Sequence, residues 1–124
     1  RGLGDVYKRQ FMMDAARVAL ECEGSVLEFN EEYLKRRKMM MDGLDSIPGI
    51  RVPEPEGAFY VFADVTGTGM SDVEFADGAL EAGVQLIPAS LITGGEGFVR
   101  VSYAADEDAI EEGLRRLRAW LGQE

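Results

Sequence analysis

Residues 46 to 57 read SIPGIRVPEPEG, and no other run constrains the fold as much. It holds three of the chain's four prolines and two glycines. A proline inside a helix removes a backbone donor and clashes with the preceding turn, so no helix crosses this segment. It reads as a turn, an extended edge near Ile50 to Val52, and a second turn. The residues before it must organise by themselves, and those after it start afresh.

Before this run, the apolar residues recur at helical spacing. Phe11, Met12, Ala15, Ala16, Ala19 and Leu20 predict a helix from Phe11 to about Cys22, buried over much of its girth, with Gly24 and Ser25 as punctuation. A second helix is expected from Asn30 to Leu44. Asn30 suits its N-cap, Glu31 and Glu32 suit the positive end, and the basic run Lys35 to Lys38 lies toward the negative end. Tyr33, Leu34, Met40, Met41 and Leu44 form its apolar stripe, and the Met39 to Met41 run reads as core filling.

After the run, strands enter. AFYVFADV (Ala58 to Val65) is apolar on both faces and rich in aromatic and β-branched residues, which predicts a central strand. A Gly-bearing loop leads to Ser71 and Glu74, spaced as a capping box, and to a helix ending near Gly83. VQLIPAS is a short strand that Pro88 interrupts or ends, LITGGEG a turn, and GFVRVSYA a further strand. Asp106, Glu107 and Asp108 then open a helix with the stripe Ile110, Leu114, Leu117 and Leu121, supported by Glu111 with Arg115 and Glu112 with Arg116 at i and i+4. Such a pattern buries its stripes by gathering helices on one face of a small, mostly antiparallel or mixed sheet, an α+β fold preceded by the long helix from Asn30.

Composition narrows the chemistry. A length of 124 residues with 46% hydrophobic content fits about one globular domain, short for an enzyme that builds both a cofactor site and a substrate site. The net charge of -10 argues against nucleic acid or an anionic membrane as partner. An anionic ligand must therefore be held by local groups against the overall field. Histidine is absent and Cys22 stands alone, which excludes a histidine triad, an internal disulfide and a cysteine-rich metal site. No apolar run has the length of a membrane span and no secretory signal is evident, so a cytoplasmic location is expected. The opening RGLGDVYKRQ is basic, lacks an initiator Met and matches nothing that follows. It reads as a non-native leader over residues 1–10, with the structured text starting near Phe11 as the C-terminal piece of something longer.

Several motifs invite chemistry and have plainer explanations. Gly94, Gly95 and Gly97 could cradle a phosphate, but a strand rather than a helix N-terminus follows, which favours hairpin turn chemistry. Asp106 to Asp108 fit a helix start better than a cation loop. The KRRK run at 35–38 reads as a solvated helix face. Arg100 is less easily dismissed. Strand alternation points Val99, Val101 and Tyr103 one way, and Phe98, Arg100 and Ser102 the other. Either that second face meets solvent and Arg100 is an ordinary surface charge, or it lines a cleft in which the guanidinium fork takes a carboxylate bidentately.

Taken in order, PEGAFYVFADV, GVQLIPAS, GGEGFVRVSYA and an acidic-start helix ending RRLRAWL resemble the C-terminal small domain of the class I/II aminotransferases. These are the aspartate-aminotransferase-like, fold type I enzymes that use pyridoxal 5'-phosphate. The resemblance covers nearly everything from Phe11 on. It implies that 11–29 end a large-domain helical region and that 30–124 form the linking helix and small domain. It also implies a parent that moves an amino group between an amino acid and a 2-oxo acid, as a homodimer. The family's substrate arginine falls on Arg100, whose implied role is to bind the α-carboxylate. Phe59 falls where the small domain approaches the substrate side chain, or is a core aromatic. The Schiff-base lysine, the aspartate at the pyridinium nitrogen and the phosphate-binding groups have no matching positions here. The fragment alone is then expected to be inactive, with no catalytic or cofactor-binding residue of its own and no metal site. LITGGEG also departs from the family's Phe-containing text at that point. The competing expectation is a free-standing ferredoxin-like module that senses a ligand or binds a partner without catalysis.

Overall fold

The computed structural model describes residues 10–123, so the expected leader lies, apart from Gln10, outside the described residues. The elements run α1 (Gln10–Leu20), α2 (Glu23–Asp45), β1 (Tyr60–Asp64), α3 (Asp72–Glu81), β2 (Ile87–Pro88), β3 (Phe98–Ser102) and α4 (Glu107–Trp120), with short 3-10 turns at Thr66–Thr68 and Ala89–Leu91. The chain divides into two compact units between Glu32 and Tyr33.

In the first unit α1 forms where the periodicity predicts it. Its expected burial does not occur: none of its residues is buried, and Phe11, Met13, Val18 and Leu20 are all more than half exposed. The described part of this unit holds only α1 and the first turns of α2, which offer no second layer to cover an apolar face. α2 begins at Glu23, well before the expected N-cap Asn30. Gly24 and Ser25 sit in its first turn, where amides lack intrahelical partners in any case. The actual break is at Glu21 and Cys22, whose amides reach only three residues back, to Val18 and Ala19.

The second unit is a three-layer problem solved with two: a sheet, and helices over one of its faces. Met40 and Leu44 of α2 are buried, Tyr33 and Met41 are half-buried, and Leu34, expected in the stripe, is exposed. Of the basic run, Lys35 and Lys38 are exposed and pair with Glu107 and Asp42 at 2.7 and 2.6 Å. Arg37 instead folds inward and donates to the Pro55 carbonyl at 2.9 Å, which ties the proline segment to α2. Within that segment Ile47 and Ile50 enter the core. Gly49 takes φ +89° with its Cα against the Gly67 backbone, a conformation and a closeness that a side chain would oppose. The expected edge strand reduces to one antiparallel bridge, Arg51 to Asp64.

The sheet is antiparallel with the order β1-β3-β2, so the central strand is β3 and not, as expected, the AFYVFADV segment. Being apolar on both faces did not distinguish the two positions. The outer face of β1 is covered by its own aromatic stacking rather than by a second layer, as its alternating burial shows. Val61, Ala63, Val99, Val101 and Tyr103 fill the inner face and meet Phe75 and Ala79 of α3 and Ile110, Leu114 and Leu117 of α4.

Helix signals hold closely. Ser71 and Glu74 make both hydrogen bonds of the capping box, and Gly83 at φ +84° follows the end of α3. Asp106 caps α4 by accepting from the Ala109 amide at 2.8 Å. Glu112 takes both Arg115 and Arg116, so the pair expected from Glu111 to Arg115 is replaced by an i to i+3 contact. These two guanidinium groups hold the Glu112 carboxyl down at about 2.

Two glycines allow helices to come close: a Cβ on Gly43 would strike Leu114, and one on Gly78 would strike the Trp120 ring. Gly113, inside α4, has open space where its Cβ would lie. Gly113→Ala should accordingly raise unfolding free energy by about 0.5–1 kcal/mol in urea titration, while Gly78→Ala lowers it by about 1–3 kcal/mol.

Candidate carboxylate-binding face

The face of the sheet turned away from the helices carries the functional candidates. Register places Phe62 of β1, Arg100 of β3 and Ile87 of β2 in one cross-strand row, with Tyr60 opposite Ser102 in the next. The alternation expected for β3 is observed: Val99 and Val101 are buried, Phe98 and Arg100 half-buried, and Ser102 exposed.

Arg100 lies on a floor of rings. Its guanidinium carbon is 5.2 Å from the centroid of Tyr60, close enough for cation–π attraction. Tyr60 in turn meets Phe62 edge-to-face at 5.8 Å and Phe59 at 5.5 Å. Among the described residues no carboxylate is paired with Arg100. The acid on the same face of β1, Asp64, accepts from the Thr66 hydroxyl at 2.6 Å and its amide at 2.9 Å, which keep its pKa below the ordinary carboxylate value. A permanent positive charge thus sits half-buried among aromatic rings with its hydrogen-bonding fork open. Such an arrangement suits a planar anion with an apolar remainder.

Phe59 is not a core aromatic. It is 53% exposed, and its ring meets the Tyr60 ring that lies under Arg100. Its placement comes from two groups that sequence reasoning missed. Ala58 adopts φ +65°, uncommon for a residue with a side chain, and so turns the chain just before Phe59. Tyr103, buried to 2%, secures the turn from the core: its hydroxyl donates to the Ala58 carbonyl at 2.7 Å and its amide to the Phe59 carbonyl at 2.9 Å. Burial pushes the Tyr103 phenol above its usual pKa, so it remains a donor at neutral pH. Strand alternation marked Tyr103 as inward-pointing, but nothing local revealed a bond to a residue 45 positions away.

Gly94, Gly95 and Gly97 lie in the connection between the antiparallel strands β2 and β3, as hairpin turn chemistry requires. Asp72, the first residue of α3, is a further group that the sequence did not single out. It is 3% exposed and accepts from the Ser90 amide at 3.0 Å.

No family model matches the chain. Individual proteins do. The aspartate aminotransferase of Pyrococcus horikoshii is 42% identical over 116 residues, which make up 90% of this chain and 30% of that protein. The aromatic-amino-acid aminotransferase 2 of Thermococcus litoralis is 37% identical with the same two coverages. Among solved structures, the aromatic aminotransferase of Pyrococcus horikoshii superposes with a TM-score of 0.75 at 34% identity, over 81% of this chain and 27% of that one. The chain therefore spans about 30% of the length of the curated relatives it matches. In sequence and in fold it belongs to the class I/II, fold type I aminotransferases, as the counterpart of their C-terminal portion.

Proposed function

We propose that this chain supplies the substrate α-carboxylate arginine, Arg100, of an aminotransferase that moves an amino group between an amino acid and a 2-oxo acid. The observation that supports this most is the open guanidinium fork of Arg100, held on the Tyr60 ring with no acid paired to it among the described residues. In this reading residues 11–29 belong with the larger domain, and 30–124 are the linking helix and small domain. The parent works as a homodimer in the cytoplasm. The free-standing ferredoxin-like module is the less favoured reading, given the likeness in both sequence and fold to aminotransferases.

Pyridoxal 5'-phosphate is the cofactor that the family implies. The described residues do not fit it. Lys35 and Lys38 are exposed, and each is engaged by an acid, Glu107 and Asp42. A Schiff-base amine instead needs a lysine whose charge is disfavoured. The glycines at 94–97 precede a strand, so no helix amide array follows them to hold a phosphate. No cofactor step is therefore assigned to this chain.

What its residues do is bind and orient. Arg100 takes both oxygens of the α-carboxylate, which fixes the plane and direction of the substrate. Tyr60 supports the guanidinium from beneath, and Phe59 lies along the substrate side chain at the rim. Lysine would keep the charge and lose the fork. In the intact enzyme Arg100→Lys should lower kcat/KM for α-amino acids by about 10- to 100-fold, with cofactor occupancy unchanged in its absorption spectrum. Equal loss of cofactor would argue against this role.

A further inference from the structure

Residues 53–59, which lead from the proline run onto β1, are held by few groups. None of them is buried, Pro55 alone is half-buried, and a Cβ on Gly57 would meet nothing within 4 Å. Apolar burial therefore does little to fix a segment that ends on Phe59, whose ring meets Tyr60 beneath Arg100. Hydrogen bonds hold it instead. Arg37 donates to the Pro55 carbonyl at 2.9 Å, and Tyr103 takes the two carbonyls at the other end, Ala58 through its hydroxyl at 2.7 Å and Phe59 through its amide at 2.9 Å.

Ala58 is where that hold matters most. It is the only non-glycine with positive φ among the described residues, at +65°. A side chain disfavours this conformation, which persists only where the surroundings over-determine it. The Tyr103 hydroxyl supplies such a restraint from a fixed point, since Tyr103 is 2% exposed and its ring meets Tyr33 of α2 edge-to-face at 6.2 Å. Relaxation of Ala58 to negative φ would turn the next peptide and carry the Phe59 ring away from Tyr60.

We infer that Tyr103 is a positioning residue for side-chain discrimination: its hydroxyl holds Ala58 in the left-handed conformation and so sets the Phe59 ring, leaving the carboxylate to Arg100. The functional part rests on the Arg100 and Phe59 reading above. Being buried, Tyr103 acts only through Ala58 and Phe59.

The test removes the hydroxyl alone, because Tyr103→Phe keeps the ring, the Tyr33 contact and the amide bond to Phe59. In NMR spectra of this chain the Phe59 and Tyr60 ring resonances should move and the Overhauser contact between them weaken, while the Leu114 and Leu117 methyl groups keep their shifts. Adding Ala58→Gly, which reaches positive φ without a side-chain penalty, should restore part of that contact. In the intact enzyme, kcat/KM is compared for alanine, leucine and phenylalanine in single turnovers, which also read slow substrates. Tyr103→Phe should leave alanine within about twofold and lower phenylalanine by about tenfold, with leucine between them.

Unmoved Phe59 resonances would overturn the inference, as would a double variant no nearer the parent than Tyr103→Phe. So would an equal fall for the three amino acids, or no fall, because a merely structural tyrosine does not discriminate among them. All three carry the same α-carboxylate, so their ratio is independent of the group that holds it. Failure of the Arg100 role would appear instead in the Arg100→Lys kinetics.

Discussion

Phe75→Ala is expected to destabilise the second unit more than any other single change considered. Phe75 is 1% exposed and packs edge-to-face on Trp120, with ring centroids 5.1 Å apart. It is the largest side chain that α3 contributes to the core, and Trp120 is the last residue of α4, so one contact joins both helices over the sheet. Truncating a buried phenylalanine costs about 3–5 kcal/mol, through lost burial and the cavity left behind. At about 4–8 °C per kcal/mol for a unit of this size, the melting temperature should fall by about 12–40 °C in a circular-dichroism melt. The Gly78 contact makes relaxation difficult, because the Trp120 ring already rests on that glycine and has little room to swing into the void. A fall of only a few degrees would mean that α3 and α4 are not joined through this pair.

Arg100→Ala should show the opposite profile, with little loss of stability and a large loss of function. Arg100 contributes to folding through its position on the Tyr60 ring, an interaction of about 0.5–1 kcal/mol at a partly exposed site. Removing an unpaired, half-buried charge also relieves a desolvation cost, so melting should shift by only a few degrees. Substrate recognition loses a charged, two-pronged contact, and the substrate carboxylate is left against the Phe59, Tyr60 and Phe62 rings. Truncation of one partner in such a pair costs about 2–5 kcal/mol, or roughly one and a half to three and a half orders of magnitude in kcat/KM. The comparison of melting with steady-state kinetics separates this residue from Phe75, whose variant should lose both together.

Much of this was written locally in the chain. The capping box at Ser71 and Glu74 and the cap at Asp106 use side chains and amides three residues apart, so short sequence windows contain them whole. The alternation in GFVRVS likewise assigned Val99 and Val101 to one side and Arg100 to the other, because strand period alone decides it. Less legible was anything that depended on what lies opposite. The β1 segment looked central because both faces are apolar, yet on its outer face Tyr60 meets Phe62 and the preceding Phe59 edge-to-face. Gly24 and Ser25 looked like a break because a helix interior disfavours them, yet in a first turn they cost little. Asp72 read as one more acid at a helix start. Its carboxylate is buried against the Ser90 amide, whose position the turn sequence alone does not reveal. For Arg100 the pattern alone favoured a surface charge over a cleft, and the Tyr60 ring beneath it with no paired acid among the described residues gives the cleft reading its physical support.

A structure of the intact enzyme with a bound 2-oxo acid or unreactive amino-acid analogue tests the central proposal most directly. Both α-carboxylate oxygens should lie about 2.7–3.0 Å from guanidinium nitrogens of Arg100, in the plane of the fork, with the Tyr60 ring beneath it. A carboxylate held by other groups, with Arg100 turned to solvent, would contradict it.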